Sequence, residues 1–313
     1  MRLRSGALSL ALLLAGCAPR TLSVTAPASG RDAALEGQLR ELAARVDGDV
    51  GIFVHHFPSG RTAELNADEL FPTASMIKVP IMLATYQAIH DGRLAFDSIL
   101  TYTDSLDYDD EADILVMAED STRIALGRLV MLMLTMSDNT ASLWLQSLSG
   151  TGVAINEGLS AQGFDSTRMN SRTPGRRGNW EQYGWGQTTP REMAGLLARI
   201  REGRAVSTAA SEEMYRALTR TYWNGTAISQ LPPWVQAASK QGSVDRSRSE
   251  VVLVNAPSGD YVFCVMTKNQ QDTSYEPSNQ GYTLIREVSR LLWETFEPAD
   301  DWEPADGATR YRE

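Results

Sequence analysis

The chain reads as an α+β protein: one antiparallel sheet built from both chain ends, flanked by helices, with an all-helical lobe inserted between the two halves. Three observations lead there. Strand-like runs stand early, at Gly51–Phe57 and Thr62–Asn66, and again late, at Val251–Asn255 and Tyr261–Thr267. Between them, apolar residues recur at helical spacing near 123–136, 140–148, 151–162, 189–202 and 208–219. A helical pattern also precedes the first strands and follows the last. Such an arrangement predicts an active site between sheet and lobe.

Taken in order, Arg2 and Arg4 precede an apolar run from Ala7 to Ala15, too short to span a bilayer but suited to an export signal. Leu14-Ala15-Gly16-Cys17 resembles the bacterial lipobox, which implies lipidation of Cys17 after removal of residues 1–16. Ala18 next to it implies a periplasmic protein anchored to the outer membrane. A plain secretory signal, with no role for Cys17, is the alternative. Residues 17–31 read as a tether. Leu35, Leu39, Leu42 and Val46 give a helix over 32–46, and Pro58-Ser59-Gly60 turns the first hairpin. A helix over 75–89 ends at Asp91-Gly92. Gln236–Lys240 pairs beside the late hairpin, which turns at Pro257-Ser258-Gly259-Asp260. A closing helix covers 281–295, and residues 298–313 form an acidic tail. The expected catalytic domain is 32–297, with an α/β lobe at about 32–93 and 236–297 and a helical lobe at about 94–235.

Composition excludes several classes. With 29 basic and 39 acidic residues the formal charge is −10, and no basic cluster stands out, so nucleic acid is not the expected partner. Two cysteines rule out a disulfide scaffold, and Cys264 reads as a small core residue. The three histidines lack metal-ligand spacing, and His55 and His56 face opposite sides of a strand, so no metal is expected. Six carboxylates in Asp104–Asp113 lack the glycine and spacing of a calcium loop and read as solvated. No Gly-x-Ser-x-Gly elbow occurs.

Only three basic residues are lysine: Lys78, Lys240 and Lys268. Lysine can give up its proton in a buried site, whereas arginine effectively cannot. Two of the three fall in short motifs. Ser75-Met76-Ile77-Lys78 opens a helix, so hydroxyl and amine share a face, and the amine can take the hydroxyl proton. A second cation near Lys78 lowers its pKa towards that of a working base, and Lys240, in Lys240-Gln241-Gly242-Ser243, is the candidate. Ser137-Asp138-Asn139 lies between two helical segments. Ser75 as a helix N-cap, and Ser137-Asp138-Asn139 as a capped turn, are the plainer alternatives.

In this order and spread, the three motifs resemble those of class A β-lactamases and penicillin-binding proteins, over nearly all of residues 32–297. Thr188-Thr189-Pro190 is similar to the family segment that follows the omega loop. The resemblance implies a β-lactamase/transpeptidase-like fold and a cofactor-free serine hydrolase acting on β-lactams or cell-wall peptides, expected as a monomer. Ser75 would be the nucleophile, Lys78 the acylation base and Ser137 the proton relay. Asn139, Lys240, Gln241, Gly242 and Ser243 would bind substrate, with the Ser75 and Ser243 N–H groups as oxyanion hole. Asp138 would be structural, and Gly242 would make room for substrate along the strand.

Two departures stand out. Gln241 replaces a threonine or serine that helps hold the substrate carboxylate; Arg246 or Arg248 could serve instead, although both read as solvated turn residues. The Glu-x-x-Leu-Asn motif of the class A omega loop, whose glutamate activates the deacylating water, is missing. Its place falls near Thr173, within Asn170–Pro174. Glu181 could substitute, or be a surface partner of Arg172, Arg176 or Arg177. Three functions therefore stay open: a β-lactamase contributing to antibiotic resistance; a D-Ala-D-Ala peptidase or esterase that β-lactams acylate; and a non-catalytic peptidoglycan-binding lipoprotein.

Overall fold

The computed structural model describes residues 30–106, 108 and 113–306. The export signal, Cys17 and all of the tether but Gly30 and Arg31 lie outside the described residues, as does the tail beyond 306.

The main sheet holds β1 (Gly30–Arg31), β2 (Asp49–His56), β3 (Arg61–Leu65), β4 (Ala237–Val244), β5 (Ser247–Val254) and β6 (Tyr261–Lys268). Their order is β1-β3-β2-β6-β5-β4. All neighbours are antiparallel except the short β1, which runs parallel to β3. The seam between chain ends is β2 against β6, in register from His56↔Tyr261 to Asp49↔Lys268. This is the expected α+β sheet, with β4 at its edge.

Helices cover both faces: α1 (Ala33–Ala43), α2 (Lys78–His90), α3 (Leu126–Met131), α4 (Asn139–Leu148), α5 (Thr151–Ala161), α6 (Arg177–Tyr183), α7 (Pro190–Arg201), α8 (Thr208–Leu218) and α9 (Gln280–Phe296). Alternation along β5 divides the core. Val252 and Val254 join Leu39, Leu284 and Trp293 under α1 and α9. Val251 and Leu253 join Met76, Ile81, Leu145 and Leu197 on the other face. Because both faces are covered, β5 is buried along its whole length. Cys264 is buried on the second face, where burial pushes its thiol well above the ordinary range, as suits a core residue.

Local differences from expectation have physical reasons. The helix expected from 123 starts at Leu126, because Arg123–Ala125 pair with Ile99–Thr101 as a two-stranded ribbon. It then widens into a π turn over Leu132–Met136. Helix α6 was not expected, since none of its residues is buried and it carries no apolar stripe. Strand β4 runs four residues beyond Lys240, because the polar pairs Gly242↔Ser249 and Ser243↔Arg248 extend the ladder without hydrophobic alternation.

Leu253→Ala should cost about 2–5 kcal/mol in denaturant unfolding. At the exposed Val244 the same change should stay within about 0.5 kcal/mol.

Candidate active site

Ser75 sits in a 3₁₀ turn, Ala74–Ile77, that leads into α2. In a 3₁₀ turn residues i and i+3 eclipse, which stacks Ser75 on Lys78 more closely than an α-helix would. The cap position before the turn is Thr73, so Ser75 is not an N-cap. Thr73 donates its N–H to the Gly186 carbonyl, and Ala74 takes a left-handed φ of 43°.

Lys78 is fully buried. Its Nζ reaches Ser75 Oγ at 3.0 Å, Ser137 Oγ at 3.1 Å and Asn139 Oδ1 at 2.7 Å, and also donates to the Ser137 carbonyl. From the sheet edge, Lys240 Nζ meets the same Ser137 Oγ at 3.0 Å. Lys240 is fully buried too, and burial together with Lys78 pushes its ammonium well below the usual lysine range, against the pull of Glu250. A hydroxyl accepts two hydrogen bonds. Here a lysine occupies each.

Ser137 is itself held in a left-handed conformation, φ 63°, at the end of the π turn. Beyond it, Asp138 caps α4, accepting the Ala141 N–H at 2.7 Å and the Leu115 N–H at 3.0 Å. Asp113 accepts the N–H groups of Asn139 and Thr140 at 2.7 and 2.6 Å. It is 4% exposed, so the end of the acidic segment is not a solvated loop. Its role escaped the sequence because one carboxylate among six carries no pattern.

Gly242 is required by the protein's own backbone. A Cβ there would lie 2.5 Å from the Thr73 carbonyl oxygen and 2.9 Å from Ser75 N. Glycine thus lets β4 press against the turn that carries Ser75. Gln241 Oε1 accepts from Lys240 Nζ at 2.9 Å, leaving its amide N–H₂ as a donor, and Ser243 Oγ accepts from the Tyr282 hydroxyl at 2.9 Å. Arg246 is the exposed turn residue that the sequence suggests, whereas Arg248 is not. Arg248 is fully buried, donates to backbone carbonyls including Ser247 and Ser274, and stacks between Tyr275 and Tyr282. Arg246 bonds the Asn269 and Gln270 carbonyls.

Glu181 is not brought to this cluster. It lies on the exposed side of α6, paired with Arg177 at 2.8 Å. Across 166–187 it is the sole carboxylate in the sequence. Thr173, at the expected place of the class A glutamate, bonds the Ser171 carbonyl instead. Glu192, just beyond, is spent on the N–H groups of Ser166 and Thr167. Thr189 caps α7, with Pro190 at its first position. Beside α4 a cleft of about 580 Å³ opens, lined by Tyr108, Leu143, Ser171, Thr173, Trp180 and Trp185.

The family model described as the β-lactamase enzyme family matches residues 34–296. The chain belongs to that family. Membership makes it a serine hydrolase of the class A β-lactamase kind, with the fold expected of one. A β-lactamase of Streptomyces fradiae is 27% identical over 283 residues, spanning 86% of this chain and 88% of that protein. Among solved structures, PBP-A superposes with a TM-score of 0.77 at 27% identity, covering 88% of this chain and 100% of PBP-A. A single-substitution variant of PBP-A has been solved as its acyl-enzyme complex with penicillin G. The β-lactamase from Sphaerobacter thermophilus gives a TM-score of 0.75 at 25% identity, over 85% of this chain and 98% of that one.

The burial of Lys240 has a consequence for stability. Its folded-state pKa lies below the ordinary value of 10.5, so the unfolded chain binds more protons and stability rises with pH between the two values. Lys240→Met should therefore be more stable than wild type at pH 7, by about 1–3 kcal/mol. That advantage should shrink by pH 10 in parallel denaturant titrations.

Proposed function

We propose that this β-lactamase-family protein opens β-lactam amides through an acyl-enzyme on Ser75. The observation that carries the proposal is the convergence of Ser75, Lys78, Ser137 and Lys240 on shared hydrogen bonds. Lys78, as the neutral amine, takes the Ser75 proton while Oγ bonds to the carbonyl carbon. The charge that develops on the carbonyl oxygen meets the Ser75 N–H and that of Ser243 on the adjacent strand. As the C–N bond breaks, Ser137 gives its proton to the leaving nitrogen and is reprotonated from Lys78. Lys240, Ser243 and the Gln241 amide receive the substrate carboxylate, and the cleft beside Trp185 receives the acyl side chain.

One observation favours a second reading for the natural reaction, a cell-wall D-Ala-D-Ala peptidase or esterase that β-lactams acylate and leave slowly. Deacylation needs a base for water, and the 166–187 loop brings no carboxylate to the described cluster. Similarity to PBP-A accords with this reading as well as similarity to β-lactamases does with the first.

Intact-protein mass spectrometry with benzylpenicillin should show a Ser75 adduct absent from Ser75→Ala. An adduct that persists for many minutes supports the peptidase or esterase reading. One that decays as hydrolysed drug accumulates supports the β-lactamase. Labelling of Ser75→Ala equal to wild type would overturn both, and no adduct at all would revive a non-catalytic, peptidoglycan-binding role.

A further inference from the structure

We propose that Asp113 is a positioning residue that holds Asn139 and Ser137 on Lys78. Ser137 is a non-glycine residue in a left-handed backbone, a conformation that persists only where its surroundings over-determine it. Upstream, the Asp138 N–H returns to the Leu132 carbonyl and closes the π turn. Downstream, the clamp is a pair of carboxylates in exchange. Asp138, from α4, takes the Leu115 N–H, and Asp113, from Leu115's own loop, takes the Asn139 and Thr140 N–H groups. Tyr108 adds a third tie, its N–H to Thr140 Oγ1 at 3.1 Å.

These bonds fall where they matter. The first N–H groups of a helix have no partner within it, and Asp138 satisfies only Ala141. Asp113 grips the two before it with both oxygens, which fixes the direction as well as the position of the α4 start. Asn139 is the residue whose Oδ1 accepts from Lys78, and Ser137, two residues back, supplies both its hydroxyl and its carbonyl to the same nitrogen. Asp113 therefore acts on the amine through the backbone of the motif.

The proposal rests on the Ser75 acylation reading, and the test separates the two. Acylation by benzylpenicillin is followed by stopped flow in the full chain, resolving the initial binding constant from the acylation rate constant. Wild type must acylate; its failure to do so would sink the Ser75 reading. Asp113→Ala should lower the rate constant roughly 10- to 100-fold, as misplaced catalytic groups do, with the binding constant little changed. In an Asn139→Ala background the same substitution should cost less than about 3-fold, because residues acting as one unit do not add. A general structural loss predicts equal losses in both backgrounds and a fall in binding, and that result would overturn the proposal. So would an unchanged rate constant. Should Asp113→Ala not fold, Asp113→Asn keeps the shape and one acceptor oxygen. An intermediate loss of about 3- to 10-fold supports the role, and wild-type acylation by this variant contradicts it.

Discussion

Two buried lysines sharing one serine hydroxyl is the constraint on which the rest of the structure turns. Lys78 and Lys240 approach Ser137 Oγ from a helix and from a sheet edge, at 3.1 and 3.0 Å. Two buried ammonium groups at one oxygen repel and are costly to desolvate. Burial and the neighbouring Lys78 push the Lys240 ammonium well below the usual lysine range. Everything that sets the spacing is therefore under strain or in close contact. Ser137 is left-handed, Ala74 is left-handed before Ser75, and Gly242 has no room for a Cβ.

The fold supports this by keeping both lysines on rigid elements. The β2–β6 seam joins chain ends more than two hundred residues apart and leaves β4 as the sheet edge facing the helical lobe. Helix α4 delivers Asn139 from that lobe, and the turn before α2 delivers Ser75 from the other side. Apolar packing on both faces of β5 holds the edge strand in register, which fixes Lys240 opposite Val251. In the 166–187 loop, by contrast, Thr173, near the place expected for a water-activating carboxylate, bonds the Ser171 carbonyl. The loop's sole carboxylate, Glu181, pairs with Arg177 at the surface.

Much of this was legible in the sequence for a simple reason. The residues of the Ser75 cluster lie in contiguous motifs, and three lysines among 29 basic residues drew attention to two of them. Strand and helix order followed from periodicity, which is strong wherever an element buries one face. What escaped has no periodicity to read. Asp113 acts through backbone N–H groups of a distant segment, and Arg248 is buried by aromatic stacking and carbonyls, so both looked solvated. Gly242 has a further reason hidden from the sequence, since contact with Thr73 and Ser75 exists only once distant parts of the chain have met. Glu181 illustrates the opposite limit: a carboxylate at a plausible distance in sequence that folding carries to the surface.

The most direct test of the central claim, that the buried Lys78 amine takes the Ser75 proton, is the acylation rate constant of Lys78→Ala across pH, beside wild type. A variant that remains folded and binds benzylpenicillin, yet acylates about 10²- to 10⁴-fold more slowly, is the predicted result. Acylation at close to the wild-type rate with the same pH profile would contradict the account and move the role of base to another group.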